Sequence, residues 1–284
     1  MNKNGWQPLF VAVAPNGARK TKEHHPALPI TPEELASTAE SCQAAGACMI
    51  HLHVRDDDGA HSLDPGRYRE AMAAIRDACG EEMVIQVTTE AVGRYSPPEQ
   101  MACIRDLVPE AASFAIRELV PDAEAEVEAR RFFFWAQEAG IQPQFILYSA
   151  EDVARFEDLV SRGVLPPGPH FLLFVLGRYS EGQISAPADL LPFLAANRLQ
   201  NPWSLCAFGP KEAACAIAGA ALGGHVRVGF ENNLLLPDGS RAPDNAALVE
   251  TVARGAAAIG RPLGTAAQLR TLLDYQDGRT APRP

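Results

Sequence analysis

The chain has no run of about 18 apolar residues, so no transmembrane helix is expected. It has no basic excess either. The formal net charge is −10, and without a positive footprint to neutralise phosphates nucleic acid is not an expected partner. An acidic total speaks chiefly to solubility and still allows an arginine cluster to dominate one pocket. The six cysteines, Cys42, Cys48, Cys79, Cys103, Cys206 and Cys215, contain no C-x-x-C pair. Scattered through apolar and helical stretches, they read as buried reduced thiols, not disulfides or thiolate metal ligands. Met1 to Gly5 lacks the apolar stretch of a signal peptide, which together with the thiols gives a cytoplasmic expectation. No linker or low-complexity tract divides the sequence. The turn at Val13 to Ala18 has no G-x-G-x-x-G, so the dinucleotide fingerprint of a doubly wound sheet is missing.

What is present is alternation. Short, largely apolar runs fall at residues 9–14, 48–54, 83–88, 112–116, 144–147, 170–175, 203–207 and 225–230. Each reads as a strand buried on both faces. A helical pattern follows each one, at residues 32–45, 65–79, 97–107, about 123–139, 151–162, 188–197, 211–222 and 245–259. Thr31, Pro32 and Glu34 spell a capping box, Ser96 and Glu99 repeat it, and Gly140 is placed as a C-cap. Eightfold strand-helix alternation predicts an α/β fold, a (β/α)8 TIM barrel forming one domain over residues 1–284, a length suited to the roughly 250 residues of one such core. Residues 279–284, rich in Pro and Arg, are expected to form a short loose tail.

In a barrel, catalytic groups come from the carboxyl ends of the strands. Those positions hold Asn16 to Arg19, His51 to Asp56, Thr88 to Glu90, Arg117 with Glu118, Tyr148 with Ser149, Arg178, Phe208 to Lys211, and Arg227 with Glu231, Asn232 and Asn233. Ionisable groups at one end of nearly every strand point to an enzyme. His51 and His53, two apart on a strand, face the same side and can share one divalent ion. Glu231 is the candidate third ligand, although it can equally serve as a salt-bridge partner of Arg227. Two imidazoles and a carboxylate suit zinc with an open position for substrate, and accept other first-row ions. Plainer readings cover the remaining signals. His24 and His25 lie in a long loop and are expected to be exposed, while His61 and His170 read as structural. Asp56 to Gly59 reads as a solvated turn, Phe132 to Trp135 as helix packing, and Gly223-Gly224 as a turn at the bottom of the barrel.

With these motifs in hand, the chain resembles the β-keto acid cleavage enzymes, known best for 3-keto-5-aminohexanoate cleavage. The resemblance runs over nearly the whole sequence. It is carried by Gly17-Ala18, Thr21 to His24, Pro26 to Pro29, His51 to Asp56, Trp203 to Gly209, and Gly223 to Leu234. It implies a (β/α)8 barrel with one divalent metal, usually zinc, assembled as a homotetramer. It also implies a reaction in which a β-keto acid and acetyl-CoA become acetoacetate and a new CoA thioester. By the same resemblance His51, His53 and Glu231 are metal ligands, Arg227 anchors charge near the reacting carbonyls, and Thr88 contacts the substrate carboxylate. Ser113 aligns with a threonine after strand four.

Three departures from the family pattern bear on the chemistry. Asn232 stands where the family has an Asp assigned to proton transfer, and an amide cannot act as a base. Arg19 replaces the Glu of Gly-Ala-Glu, and Thr88-Thr89-Glu90-Ala91 replaces Ser-Thr-Gly-Gly. Glu90 is therefore the candidate general base, with Arg19 either binding an anionic substrate group or tuning Glu90; Glu118 is a second candidate. Two other readings remain open at this point: a metal-dependent C–C lyase or aldolase without CoA, and a binding homologue that lost its base.

Overall fold

The computed structural model describes residues 5–276. The chain begins with β1 (Val11–Val13), α1 (Pro32–Ala45) and β2 (Met49–Leu52), then a hairpin of β3 (Val54–Arg55) and β4 (His61–Ser62). There follow α2 (Pro65–Cys79), β5 (Val84–Thr88), α3 (Pro97–Leu107), β6 (Ala111–Ala115), α4 (Ile116–Leu119) and α5 (Glu126–Glu138). Next come β7 (Gln142–Leu147), α6 (Ala150–Ser161), β8 (Phe171–Leu176), α7 (Leu191–Ala196), β9 (Trp203–Ala207), α8 (Glu212–Ala221), β10 (His225–Val228), α9 (Asn245–Ala258) and α10 (Ala266–Gln276). Eight of the strands close a barrel in the order β1-β10-β9-β8-β7-β6-β5-β2, and the pairings around it are parallel. This is the expected (β/α)8 architecture.

The first helices start where their capping sequences predict. Thr31 accepts from the Glu34 amide while Glu34 reaches back, and at α3 the Glu99 carboxylate accepts from both the amide and the hydroxyl of Ser96. Four expectations need correction. The expected strand 48–54 stops at Leu52, because Val54 and Arg55 pair antiparallel with His61 and Ser62 instead. The strand expected to reach residue 230 stops at Val228, where Gly229 turns with φ 139° and no room for a side chain against the Ala14 carbonyl. Residues 187–190 form a 3-10 turn before α7, where Pro187 and Pro192 each lack an amide donor. Finally, α10 was not expected. Its Leu269 and Leu273 join Phe10, Met49, Val84, Ala111 and Phe171 in an apolar plug that closes the amino-terminal end of the barrel. The tail at residues 279–284 lies outside the described residues.

Above that plug the interior changes character. Gln86, Gln144 and Ser204 are all buried inside the barrel. Gln86 Nε2 donates to Gln144 Oε1 at 3.1 Å, and Gln144 Nε2 donates to Ser204 Oγ at 3.0 Å. A belt of satisfied polar groups thus crosses the barrel beneath its mouth, as a buried polar layer must if it is not to cost stability. At the opposite end Arg261, 2% exposed, donates to the carbonyls of Gln7, Ala220 and Gly224, tying the first strand's approach to the turn before β10. Burial lowers its guanidinium to about 10. Arg261→Leu leaves those carbonyls without their donor and is expected to cost about 2–4 kcal/mol. Urea unfolding checks this, the expected sign being a lower midpoint with an unchanged slope.

Candidate active site

His51 at the end of β2 and His53 just beyond it bring their ring nitrogens to 3.1 Å, Nε2 to Nε2. Glu231, past β10, sets Oε2 at 3.2 Å from His53 Nε2 and 3.7 Å from His51 Nε2. Donors held about 2.0–2.2 Å from a tetrahedral ion lie roughly 3.3–3.6 Å apart, so the spacing fits a single small cation. The protonation states fit as well. Burial, with Arg227 adding to it, pushes His51 well below the ordinary imidazole range, which keeps its ring neutral and ligand-competent. Burial disfavours the Glu231 carboxylate, but Arg227 and His53 outweigh it and hold the group well below its usual range. Glu231 Oε2 has no hydrogen-bond partner although buried, and an orphaned charged acceptor of this kind fits a bound cation.

The surrounding side chains aim these donors. Arg227 Nη2 donates to Glu231 Oε1 at 2.8 Å, so the second carboxylate oxygen is the one turned to the histidines. Both readings of Glu231, ion-pair partner and candidate ligand, therefore apply at once. Gly17 packs beneath it: with φ +60° it needs glycine, and a Cβ there would lie 2.6 Å from Glu231 Cγ. Lys20 Nζ donates to the Glu231 carbonyl at 2.7 Å, and burial lowers its ammonium from the usual range. His51 Nδ1 meets Gln86 Oε1 at 2.8 Å. Because Gln86 gives its amide hydrogens to Gln144, its oxygen must accept, His51 must carry its proton on Nδ1, and Nε2 is left with a lone pair.

A cavity of about 290 Å³ opens over this cluster, lined among others by Arg19, Lys20, His24, His51, Thr88, Glu90, Tyr148, Arg178, Arg227 and Glu231. Glu90 Oε2 lies 3.9 Å from His53 Nδ1, and Glu90 Oε1 lies 3.7 Å from Arg178 and 3.9 Å from Arg19. Thr88 Oγ1 accepts from the Glu90 amide at 3.1 Å. Ser113 is buried deeper in β6 with its hydroxyl unpartnered, and it does not belong to the cavity lining. Asn232 lies beneath the cluster, its amide 3.4 Å from Glu212 Oε1. Glu118 accepts from the Ala91 amide and from Gln100, and Arg117 pairs with Asp152 at 2.6 Å, so an Arg117–Glu118 pair does not form. His25 is buried against the Ala242 carbonyl, not exposed, whereas His24 is exposed at the cavity rim. His61 is structural in the expected sense, reaching the Glu90 carbonyl.

A barrel whose ionisable side chains converge on a cavity at the carboxyl ends of its strands defines an enzyme of this fold. The chain belongs to the β-keto acid cleavage enzyme family, whose model matches residues 8–274. It is 34% identical to the 3-keto-5-aminohexanoate cleavage enzyme of Fusobacterium nucleatum, over 95% of this chain and 99% of that one. It is 29% identical to the 3-oxoadipate:acetyl-CoA acetyltransferase of Cupriavidus necator, over 96% and 99%. Among solved structures apo ObcA shares the fold, with TM-score 0.70 and 18% identity over 87% of this chain and 65% of that one, so the chain spans about two thirds of its length. The family relationship makes this an enzyme of the acyltransferase type. No helix among the described residues is long and apolar enough to cross a membrane.

Glu212, at the start of α8, escaped the sequence reading. It accepts from the Gly229 amide and from the side-chain amides of Asn232 and Asn233, bracing the turn that carries Glu231. Burial pushes its carboxyl up to about 8, against those hydrogen bonds. A raised acid binds its proton more tightly in the folded state, so its contribution to stability is full below the unfolded value of 4.5 and fades as pH rises through about 8. The slope cannot exceed about 1.4 kcal/mol per pH unit for one proton. Glu212→Gln is expected to flatten the fall in stability between pH 5 and 8; denaturant titrations over that range test it, and an unchanged slope would remove Glu212 as its source.

Proposed function

We propose that the chain condenses a β-keto acid with acetyl-CoA, giving acetoacetate and a new acyl-CoA, with a divalent ion, zinc by its donor set, held by His51, His53 and Glu231. The observation that carries this reading is the convergence of those three donors and Arg227 beneath a cavity large enough for a small acid and an acetyl group. A bound ion would supply the Lewis acidity that polarises the substrate oxygens and lowers the cost of forming an enolate. Glu90, at the cavity wall, takes the proton from the carbon between carboxylate and ketone. Asn232 cannot do so, since it is an amide. Arg227 adds fixed positive charge where oxygen charge develops, and the Thr88 hydroxyl orients the substrate carboxylate. Ser113, below the cavity, supports that wall without reaching the acid. In the balance of bonds, the C2–C3 bond of the keto acid and the C–S bond of acetyl-CoA break, C2 joins the acetyl carbon, the thiolate of CoA passes to the former ketone carbon, and the proton held by Glu90 returns to C2 as acetoacetate leaves. The family resemblance supports a homotetramer, and six buried free cysteines support a reducing, cytoplasmic location.

Incubation with acetyl-CoA and a panel of β-keto acids, following acetoacetate and the new CoA ester by mass, tests the reading. Cleavage without CoA consumption would favour a lyase instead, and ligand binding without any turnover a non-catalytic protein. With an active acid, Glu90→Gln is expected to lower kcat by about 10²–10⁴-fold; undiminished turnover would remove Glu90 as the base. Gln86→Leu, which takes away the acceptor of His51 Nδ1, is expected to weaken divalent-ion affinity by about 10–100-fold, read by competition with a chromogenic chelator. Equal affinity would mean that His51 needs no orienting partner.

A further inference from the structure

The cavity carries more positive charge than a monoanionic substrate can answer. Its lining holds Arg19, Lys20, Arg178 and Arg227 against Glu90 and Glu231. Arg227 and Glu231 satisfy each other at 2.8 Å. That leaves three cations facing one carboxylate, before any metal charge is added.

Arg178 is distinctive among these cations. Its side chain is 18% exposed, and its guanidinium is packed over the Phe208 ring at 5.1 Å. Other arginines around the mouth are engaged: Arg55 with the Gly17, Lys20 and Gly59 carbonyls, Arg94 with Asp56, Arg117 with Asp152. Arg178 is 3.7 Å from Glu90, and its guanidinium donates to no acceptor among the described residues. A planar five-donor fork, stiffened by stacking and open to a cavity, matches a carboxylate in shape and charge.

Position says which carboxylate. The two oxygens of Glu90 face different partners, Oε2 toward His53 and Oε1 toward Arg178 and Arg19. Arg178 thus lies on the side of Glu90 turned away from His53, the side that the distal end of an acid would reach if its reacting carbons lay over His51 and His53. Arg19, 59% exposed, stands at the rim on the same side.

Resting on the function proposed above, we propose that the β-keto acid of this enzyme bears a second carboxylate at the end remote from the cleaved bond, seated on Arg178 with Arg19 beside it. The same charges disfavour an ammonium at that end, the group carried by the substrate named for the Fusobacterium relative, because it would meet two arginines within 4 Å of the one carboxylate available to it.

The test uses β-keto acids of equal length ending in carboxylate, methyl or ammonium, with the wild-type enzyme and Arg178→Gln. The carboxylate-ended acid is expected to lead in kcat/KM by about tenfold or more, and Arg178→Gln to lower its kcat/KM about tenfold more than that of the methyl-ended acid. A methyl- or ammonium-ended acid that matches it would overturn the proposal while leaving the reaction class intact. An equal loss for all acids would assign Arg178 to the reacting carboxylate, and a rise confined to the KM of acetyl-CoA would assign it to the CoA phosphates; either result overturns the proposal. If no acid yields acetoacetate, the reaction class fails, and calorimetry decides the inference alone. A saturated dicarboxylate binding tighter than its methyl-ended analogue to wild type, with that margin lost in Arg178→Gln, supports it; equal affinities overturn it.

Discussion

The buried ion pair between Arg227 and Glu231 is the constraint on which the rest of the mouth depends. Two charges this far from water are costly, and close pairing returns that cost only when geometry and neighbouring hydrogen bonds are good. Here one carboxylate oxygen is taken by Arg227 at 2.8 Å and the other is left without a hydrogen-bond partner between two imidazoles. Arg227 also reaches Cys206 Sγ at 3.2 Å, which fixes the guanidinium from β9. Glycine at residue 17 follows from the same pair, because any side chain there would displace Glu231. So does the buried lysine: Lys20 holds the Glu231 main chain while its own charge sits over the cavity.

The histidine half of the cluster is governed differently, by a chain of neutral groups. Ser204, Gln144 and Gln86 pass a single hydrogen-bond direction across three strands to His51. A glutamine alone could present either end to an imidazole. One whose amide is already committed cannot, so the belt across the barrel selects a tautomer as well as filling space. Below it lies the apolar plug under α10, against which Gln144 and Ser204 line a small pocket with Phe10, Met49, Phe171 and Leu269.

How much of this was legible depended on whether the signal was local. Strand-helix alternation and capping boxes are local, and the barrel with its first helix starts could be read directly. His51 and His53 were legible because a strand's period of two makes H-x-H a geometric statement, and Glu231 because a strand end is a defined place in a barrel. Gln86, Gln144 and Ser204 carry no such mark. A polar residue inside an apolar run looks like noise until register sets the three side by side. Glu212 was hidden for the same reason: nothing in Lys211-Glu212-Ala213 says that the first turn of α8 lies under the loop after β10. The hairpin at β3 and β4 was masked by the histidine motif it continues, and α10 by the expectation that eight helices complete a barrel. Arg178 is only one of several arginines at the strand ends in the sequence, which cannot tell which of them keeps hydrogen-bond donors open to the cavity.

The three departures from the family pattern make sense together as a relocation of charge. Asn232, where the family resemblance implies an Asp, puts no carboxylate on the floor of the site, and Glu212 in contact with that amide is pushed toward its neutral form by burial. Replacing the Glu of the first loop by Arg19 reverses the charge at the rim. Both features raise the positive potential of the cavity, and Glu90, just past the end of β5, is the carboxylate that answers it, within 4 Å of both Arg19 and Arg178. Arg19 and Glu90 are matched in charge and lie 3.9 Å apart. An arginine at the rim without Glu90 would leave the His53 side of the cavity facing cations alone, and Glu90 without the arginines would crowd a second anion toward Glu231. What results is a carboxylate on the cavity wall beside a guanidinium with donors still free, and under the proposed function that arrangement ties the placement of the base to the choice of substrate.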